Sequence, residues 1–250
     1  MSAESVQNEF GYFGKLPTLG DFVHQLLPQD FANGWHAWLQ QSMAAARESL
    51  GDDFLSYYLN CPVWKFLVSP GVCGVQAVAG LTIPSVDKVG RYFNFTLATV
   101  LPMGTDPCTY ALRNQEGLLE LENLALDILA EDYAKAEIEL KVRDVSLLFD
   151  TPSATHHDIE TGAEFIRASL DGAFPFADQV GGLLTHLINQ SLGDYSIWWY
   201  GQAGQTQSQI VVCNGLPSHE IYLRLLTLEE ALAPEEKELD YVDKIIAGDV

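Results

Sequence analysis

The sequence predicts an α/β protein, with an antiparallel or mixed central sheet flanked by helices. Three observations carry this expectation. Strand-like runs at Val63–Val68, Val75–Ile83 and Tyr92–Val100 follow one another with only short connections between them, which means antiparallel pairing. Apolar residues recur at helical spacing in Phe31–Leu50, and Leu, Glu and Ala dominate Gln115–Lys141 in a similar rhythm. Apolar residues make up 48% of the 250 positions, enough to fill a core between such layers.

Taken in chain order, Phe10–Leu16 reads as a first strand broken by Pro17, and Gly20 turns the chain before Asp21. A helix is expected from about Asp30, whose carboxylate suits the free amides that follow Pro28. Phe31, Trp35, Trp38, Leu39, Met43, Ala46 and Leu50 form its buried stripe, and Gly51 stops it. Phe54–Leu59 is a short helix that Pro62 keeps from continuing. In the strand Val63–Val68, alternation puts Trp64 in the core and Lys65 at the surface. Pro70 and Gly71 supply a turn, and Ser85–Gly90 is the loop between the next two strands.

Gln115–Lys141 is one long helix or two in series, with Leu118, Leu121, Leu124, Leu129 and Tyr133 as candidates for its buried side. Thr151–His157 is a polar connection, Ile159–Leu170 a weaker helix, and Phe176–Leu192 a further helix carrying Leu183, Leu184, Leu187 and Ile188. Ser196–Gly201 and Gln209–Cys213 are two closing strands separated by a Gly204-Gln205 linker, joining the same sheet or forming a small second one. Tyr222–Leu226 ends the packed part. A single domain is therefore expected over residues 1–227, with an acidic tail at 228–250. From Glu229 onward the tail has eight acids and two lysines, which fits a solvated segment or a docking segment for a basic partner.

The formal charge is −21, from 34 acidic and 13 basic residues. Nucleic acid is an unsuitable partner, because neutralising phosphates needs clustered Lys and Arg. Anionic membrane surfaces repel such a chain, and basic proteins attract it. Met1–Glu9 is polar and lacks the form of a secretion signal, while Val72–Ile83 falls far short of the ~20 apolar residues of a membrane helix. A soluble cytoplasmic protein is expected. Cys61, Cys73, Cys108 and Cys213 are scattered, and buried thiols rather than a zinc site or disulfides are expected of them.

Chemistry finds little footing. Gly14-Lys15 lacks the earlier glycine and the following hydroxyl of a phosphate loop, since those positions hold Glu9 and Leu16. Ser85 sits between Pro84 and Val86, not in a nucleophile elbow. His156-His157-Asp158 is a local group of ligand types in a polar loop, and the remaining histidines are isolated, so no metal or other cofactor is expected. The charges of most interest are Asp87, Lys88 and Arg91, held in a loop headed by Pro84 and closed by Gly90. Asp87 and Arg91 either brace that loop by pairing or offer a polar contact to a partner. Lys15, Asp21, Asp87, Lys88 and Arg91 are the candidate partner-binding or loop-defining residues.

Several clusters carry a resemblance. Gly14-Lys15-Leu16-Pro17 leads to Gly20-Asp21-Phe22, then come Trp35 with Trp38-Leu39, Pro62-Val63-Trp64 with Phe66, and Pro84-Ser85-Val86-Asp87 with Val89-Gly90-Arg91-Tyr92-Phe93. Ser196-Ile197-Trp198-Trp199 and Gly215-Leu216-Pro217 continue the pattern. Together they resemble the TagF (ImpM) family of type VI secretion-associated proteins. The resemblance implies a cytoplasmic accessory protein of a bacterial contractile secretion machine, not an enzyme. It implies post-translational repression, in part by binding the system's forkhead-associated scaffold protein, and it supplies no catalytic residues. Two alternatives stand beside it: an enzyme, hydrolase or nucleotide-dependent regulator, with a pocket around Asp21, Asp87 and Arg91, and a minor structural component of the machine.

Overall fold

Strands buried on both faces set the architecture of the computed structural model, which describes residues 9–151, 158–161, 166–169, 176–201 and 208–228. They are β3 (Trp64–Val68), β4 (Val78–Ile83) and β5 (Phe95–Val100), buried at nearly every position, as strands are when helices cover a sheet from both sides. With β1 (Phe10–Gly14), β2 (Val23–Gln25), β8 (Tyr195–Tyr200) and β9 (Gln209–Asn214) they make one sheet in the order β2-β1-β5-β4-β3-β8-β9. Every neighbouring pair in it runs antiparallel, so the two closing strands join the main sheet.

One face carries α1 (Gln29–Leu50), α2 (Phe54–Asn60) and α7 (His219–Thr227). The expected stripe of α1 is buried apart from half-covered Leu50. Its Trp35 stacks 5.6 Å from Trp198 of β8, lies 4.4 Å from Phe66 of β3, and donates its indole N–H to the Thr96 hydroxyl at 3.0 Å. The indole of Trp38 donates to the Pro217 carbonyl, and that of Trp64 to the Leu225 carbonyl. A large apolar ring thus fills the core while its one polar atom is satisfied. Asp30 lies inside the first turn and accepts from the Phe31 amide at 2.9 Å; the residue preceding the helix is Pro28.

The other face carries α3 (Pro107–Arg113), α4 (Gln115–Ala130), α5 (Lys135–Ser146) and α6 (Phe176–Leu192). Gln115–Lys141 is therefore two helices, parted at Glu131–Ala134, where Glu137 turns back to accept from the Ala134 amide. Helix α3, unforeseen, begins with Asp106 accepting from the Thr109 amide at 2.7 Å and Pro107 in the first turn. The Arg113 guanidinium pairs with Asp178, fastening α3 to α6.

Two expectations are overturned. Lys65 is buried, not exposed: the face it points to is covered by α4, where Glu122 pairs with its ammonium. The stretch expected as a helix over Ile159–Leu170 forms strands β6 (Asp158–Thr161) and β7 (Ile166–Ser169), paired antiparallel. Pairing there draws on long-range or turn geometry that helical periodicity does not register. The short strand β2 was also unforeseen. The expected polar connection beyond Thr151, the Gly204-Gln205 linker and the acidic tail from Glu229 lie outside the described residues. Among the described residues no helix is long and apolar enough to cross a membrane.

Candidate functional site

The loops flanking β1 and joining β4 to β5 are locked to one another. Gly14 ends β1 at φ +132°, a backbone shape open to glycine, in contact with the chain entering β5. Lys15 then points inward, and its ammonium lies 2.8 Å from the Asp87 carboxylate, whose side chain is 0% exposed. The same carboxylate accepts from the Arg91 guanidinium at 2.7 Å and from the Val89 and Arg91 amides at 3.0 and 2.8 Å. Burial opposes ionisation of Asp87, but Lys15, the Arg91 amide and guanidinium and the Val89 amide outweigh it, so its pKa falls well below the usual carboxylate range. The carboxylate has no free capacity to serve as a base.

Further bonds complete the lock. The Arg91 guanidinium also reaches the Gly20 carbonyl, the Lys88 amide donates to the Leu19 carbonyl at 3.2 Å, and the Ser85 hydroxyl donates to the Lys15 carbonyl at 2.8 Å. Tyr58, from α2, accepts from the Ser85 amide and donates to the Ser85 carbonyl. Lys15, Asp87 and Arg91 are therefore brought together, and Asp87 and Arg91 brace the loop by pairing. Lys15 and Asp87 are interior. Asp21 and Lys88 are exposed, and Arg91 keeps 56% of its side chain in solvent while its Nε binds Asp87.

Beside the lock lies a groove of about 540 Å³ running along α1. Phe22, His36, Tyr92 and Phe93 supply aromatic surface, and Arg47 and Glu48 supply charge. Phe22 is 43% exposed, packs edge-on to Phe93 at 4.8 Å, and receives the Lys15 ammonium 5.2 Å from its ring centre. His36 stacks on Phe93 at 5.1 Å. Phe22, Tyr92 and Phe93 stand inside the sequence clusters, where nothing in the local pattern marks them as site residues. His36, Arg47 and Tyr58 came from helices where spacing signals only burial.

Chemistry elsewhere is sparse. Among the described residues no group of three or more His, Cys, Asp or Glu is placed to hold a metal ion, and His156-His157 lies outside them. All four cysteines are free thiols, with Cys73, Cys108 and Cys213 buried and Cys61 half-buried. Burial pushes the Cys73 thiol up to about 12, which makes it a poor nucleophile.

The family described as TagF N-terminal domain, type VI secretion system-associated, matches residues 11–145, over half of the chain and inclusive of the whole lock. The crystal structure of PA0076 from Pseudomonas aeruginosa PAO1 is similar, with a TM-score of 0.69 and 30% sequence identity over 90% of this chain and 97% of that one. No curated protein matches the sequence. The paired loops, the sheet they border and these two likenesses agree: the chain belongs to the TagF family of type VI secretion system-associated proteins.

Proposed function

We propose that the protein is a cytoplasmic, non-enzymatic repressor of type VI secretion that acts by binding the system's forkhead-associated scaffold protein. The observation that carries the reading is the rigid, partly cationic and aromatic surface around the lock, on a chain whose formal charge is −21. Arg47 stands exposed beside Phe22 and Tyr92 in the groove, and exposed Arg91 precedes Tyr92 in the chain; Arg and aromatic side chains are enriched at interface centres, and exposed Lys88 suits the polar rim. Because Arg91 and the loop backbone are already fixed, little ordering entropy is lost when a partner carboxylate or carbonyl docks. An interface of ordinary size covers ~800 Å² on each partner. The loops over 14–22 and 84–93 together with the exposed side of α1 are the surface that would supply it.

The enzyme reading around Asp21, Asp87 and Arg91 has less support, since the Asp87 carboxylate already accepts four hydrogen bonds. The test is capture of the purified cognate scaffold by the immobilised protein, alongside secretion assays in a gene-deletion strain. Binding that Lys88→Glu weakens roughly tenfold, with unchanged folding, supports the reading. Absence of scaffold binding together with unaltered secretion in the deletion strain refutes it.

A further inference from the structure

Strand β9 borders the sheet, and among the described residues nothing pairs with its outer side. Its six residues include neither proline nor charge, two devices that soluble proteins use to blunt a free border. Ile210 is 68% exposed and Val212 is 41% exposed. They stand opposite Trp199 and Ile197 of β8, on the sheet face that bears α3 and α6. An open apolar groove of about 570 Å³ adjoins Ile210, with Leu112 and Leu184 along its sides. The opposite border, β2, is only three residues long and needs no such protection.

Charge identifies the occupant. From Tyr195 to His219 the sequence runs 25 positions without Asp, Glu, Lys or Arg, the longest such run in the chain. A basic partner would find no carboxylate on this strand to pair with. Two copies of a −21 chain repel each other over most of their surface, and this uncharged border is where they can approach without opposing carboxylates.

We propose that β9 pairs antiparallel with β9 of a second copy about a two-fold axis perpendicular to the sheet, joining two seven-stranded sheets into one. With the axis at Val211, Ile210 faces Val212 of the second copy and Gln209 faces Cys213, so the exposed apolar pair on each strand covers its counterpart. The same sheet face of both copies then lies on one side, and the two grooves adjoin. The arrangement closes on itself and leaves no free border at β9 to recruit a third chain.

Sedimentation velocity of the full chain over a wide concentration range tests this. The expected result is a reversible dimer that tightens as salt screens the like charges. Ile210→Lys combined with Val212→Lys raises its dissociation constant roughly tenfold or more, and Lys88→Glu, at the lock, leaves it unchanged. A monomer at every concentration overturns the proposal, as does a dimer that survives the double substitution in a folded sample. Should the double variant fail to fold by circular dichroism, hydrogen exchange on the unaltered chain decides. Amides of Gln209–Asn214 that gain protection with concentration support the pairing, and unchanged protection overturns it.

Discussion

Alanine at Gly14, Gly90 and Gly20 separates backbone strain from steric overlap within the same pair of loops. At Gly14, φ is +132°, and an added Cβ would overlap the Asn94 carbonyl oxygen and come within 3.0 Å of the Asn94 carbonyl carbon and Phe95 Cα. These are backbone atoms at the start of β5, so no flexible side chain can yield. Gly90 has φ +83° but open space where its Cβ would sit, and Gly20 has the same space without a left-handed φ. Unfavourable dihedrals cost ~1–3 kcal/mol, and overpacking against fixed atoms adds a further ~1–3 kcal/mol. The expected losses are therefore ~4 kcal/mol for Gly14→Ala, ~1–3 kcal/mol for Gly90→Ala and under ~0.5 kcal/mol for Gly20→Ala. In a chain of this size each ~1 kcal/mol moves Tm by ~2–4 °C, which puts Gly14→Ala roughly 10 °C below the parent. Urea unfolding followed by tryptophan fluorescence, with thermal melts beside it, measures all three. Equal losses at Gly14 and Gly90 would refute the steric argument, and a loss below ~1 kcal/mol at Gly14 would refute the whole account.

Other outcomes follow from the same geometry. Trp35→Phe removes the indole N–H that reaches Thr96 and leaves a void beside Trp198, lowering stability by ~2–4 kcal/mol, measured by urea unfolding. Asp87 has the lower pKa in the folded state, so its stabilisation is present above the ~3.9 of a free Asp and drains away as pH falls below it. Asp87→Asn should therefore flatten the fall of the urea midpoint from about pH 4 down to about pH 2. A thiol reagent at about pH 8 should label Cys73 only as fast as the protein opens, which a comparison of labelling and unfolding rates would establish.

Much of the fold is legible where one residue type has one strong reason for its place. The helix over Phe176–Leu192 and the stripe from Phe31 to Ala46 follow from apolar spacing alone, and Gly51 does stop α1. The surface position expected of Lys65 fails because alternation assumes a wet face, while α4 supplies a cover and a carboxylate. Asp106 followed by Pro107 was a readable helix start that spacing over a seven-residue helix is too short to reinforce. In the lock, Asp87 and Arg91 could be singled out as a pair, since they lie four residues apart in one loop. The inward turn of Lys15, 72 positions from Asp87, depends on how β1 meets β5, which no local pattern encodes.

The indole bonds of α1 and β3 reach far along the chain: Trp38 of α1 to Pro217 spans 179 positions, and Trp64 of β3 to Leu225 spans 161. During synthesis the first long helix must wait, its widest rings uncovered, until Trp198 and Pro217 have left the ribosome. A nascent chain stalled anywhere before β8 would present Trp35 and Phe66 without the ring of Trp198 that caps them, making that interval the period when chaperones matter most to this protein.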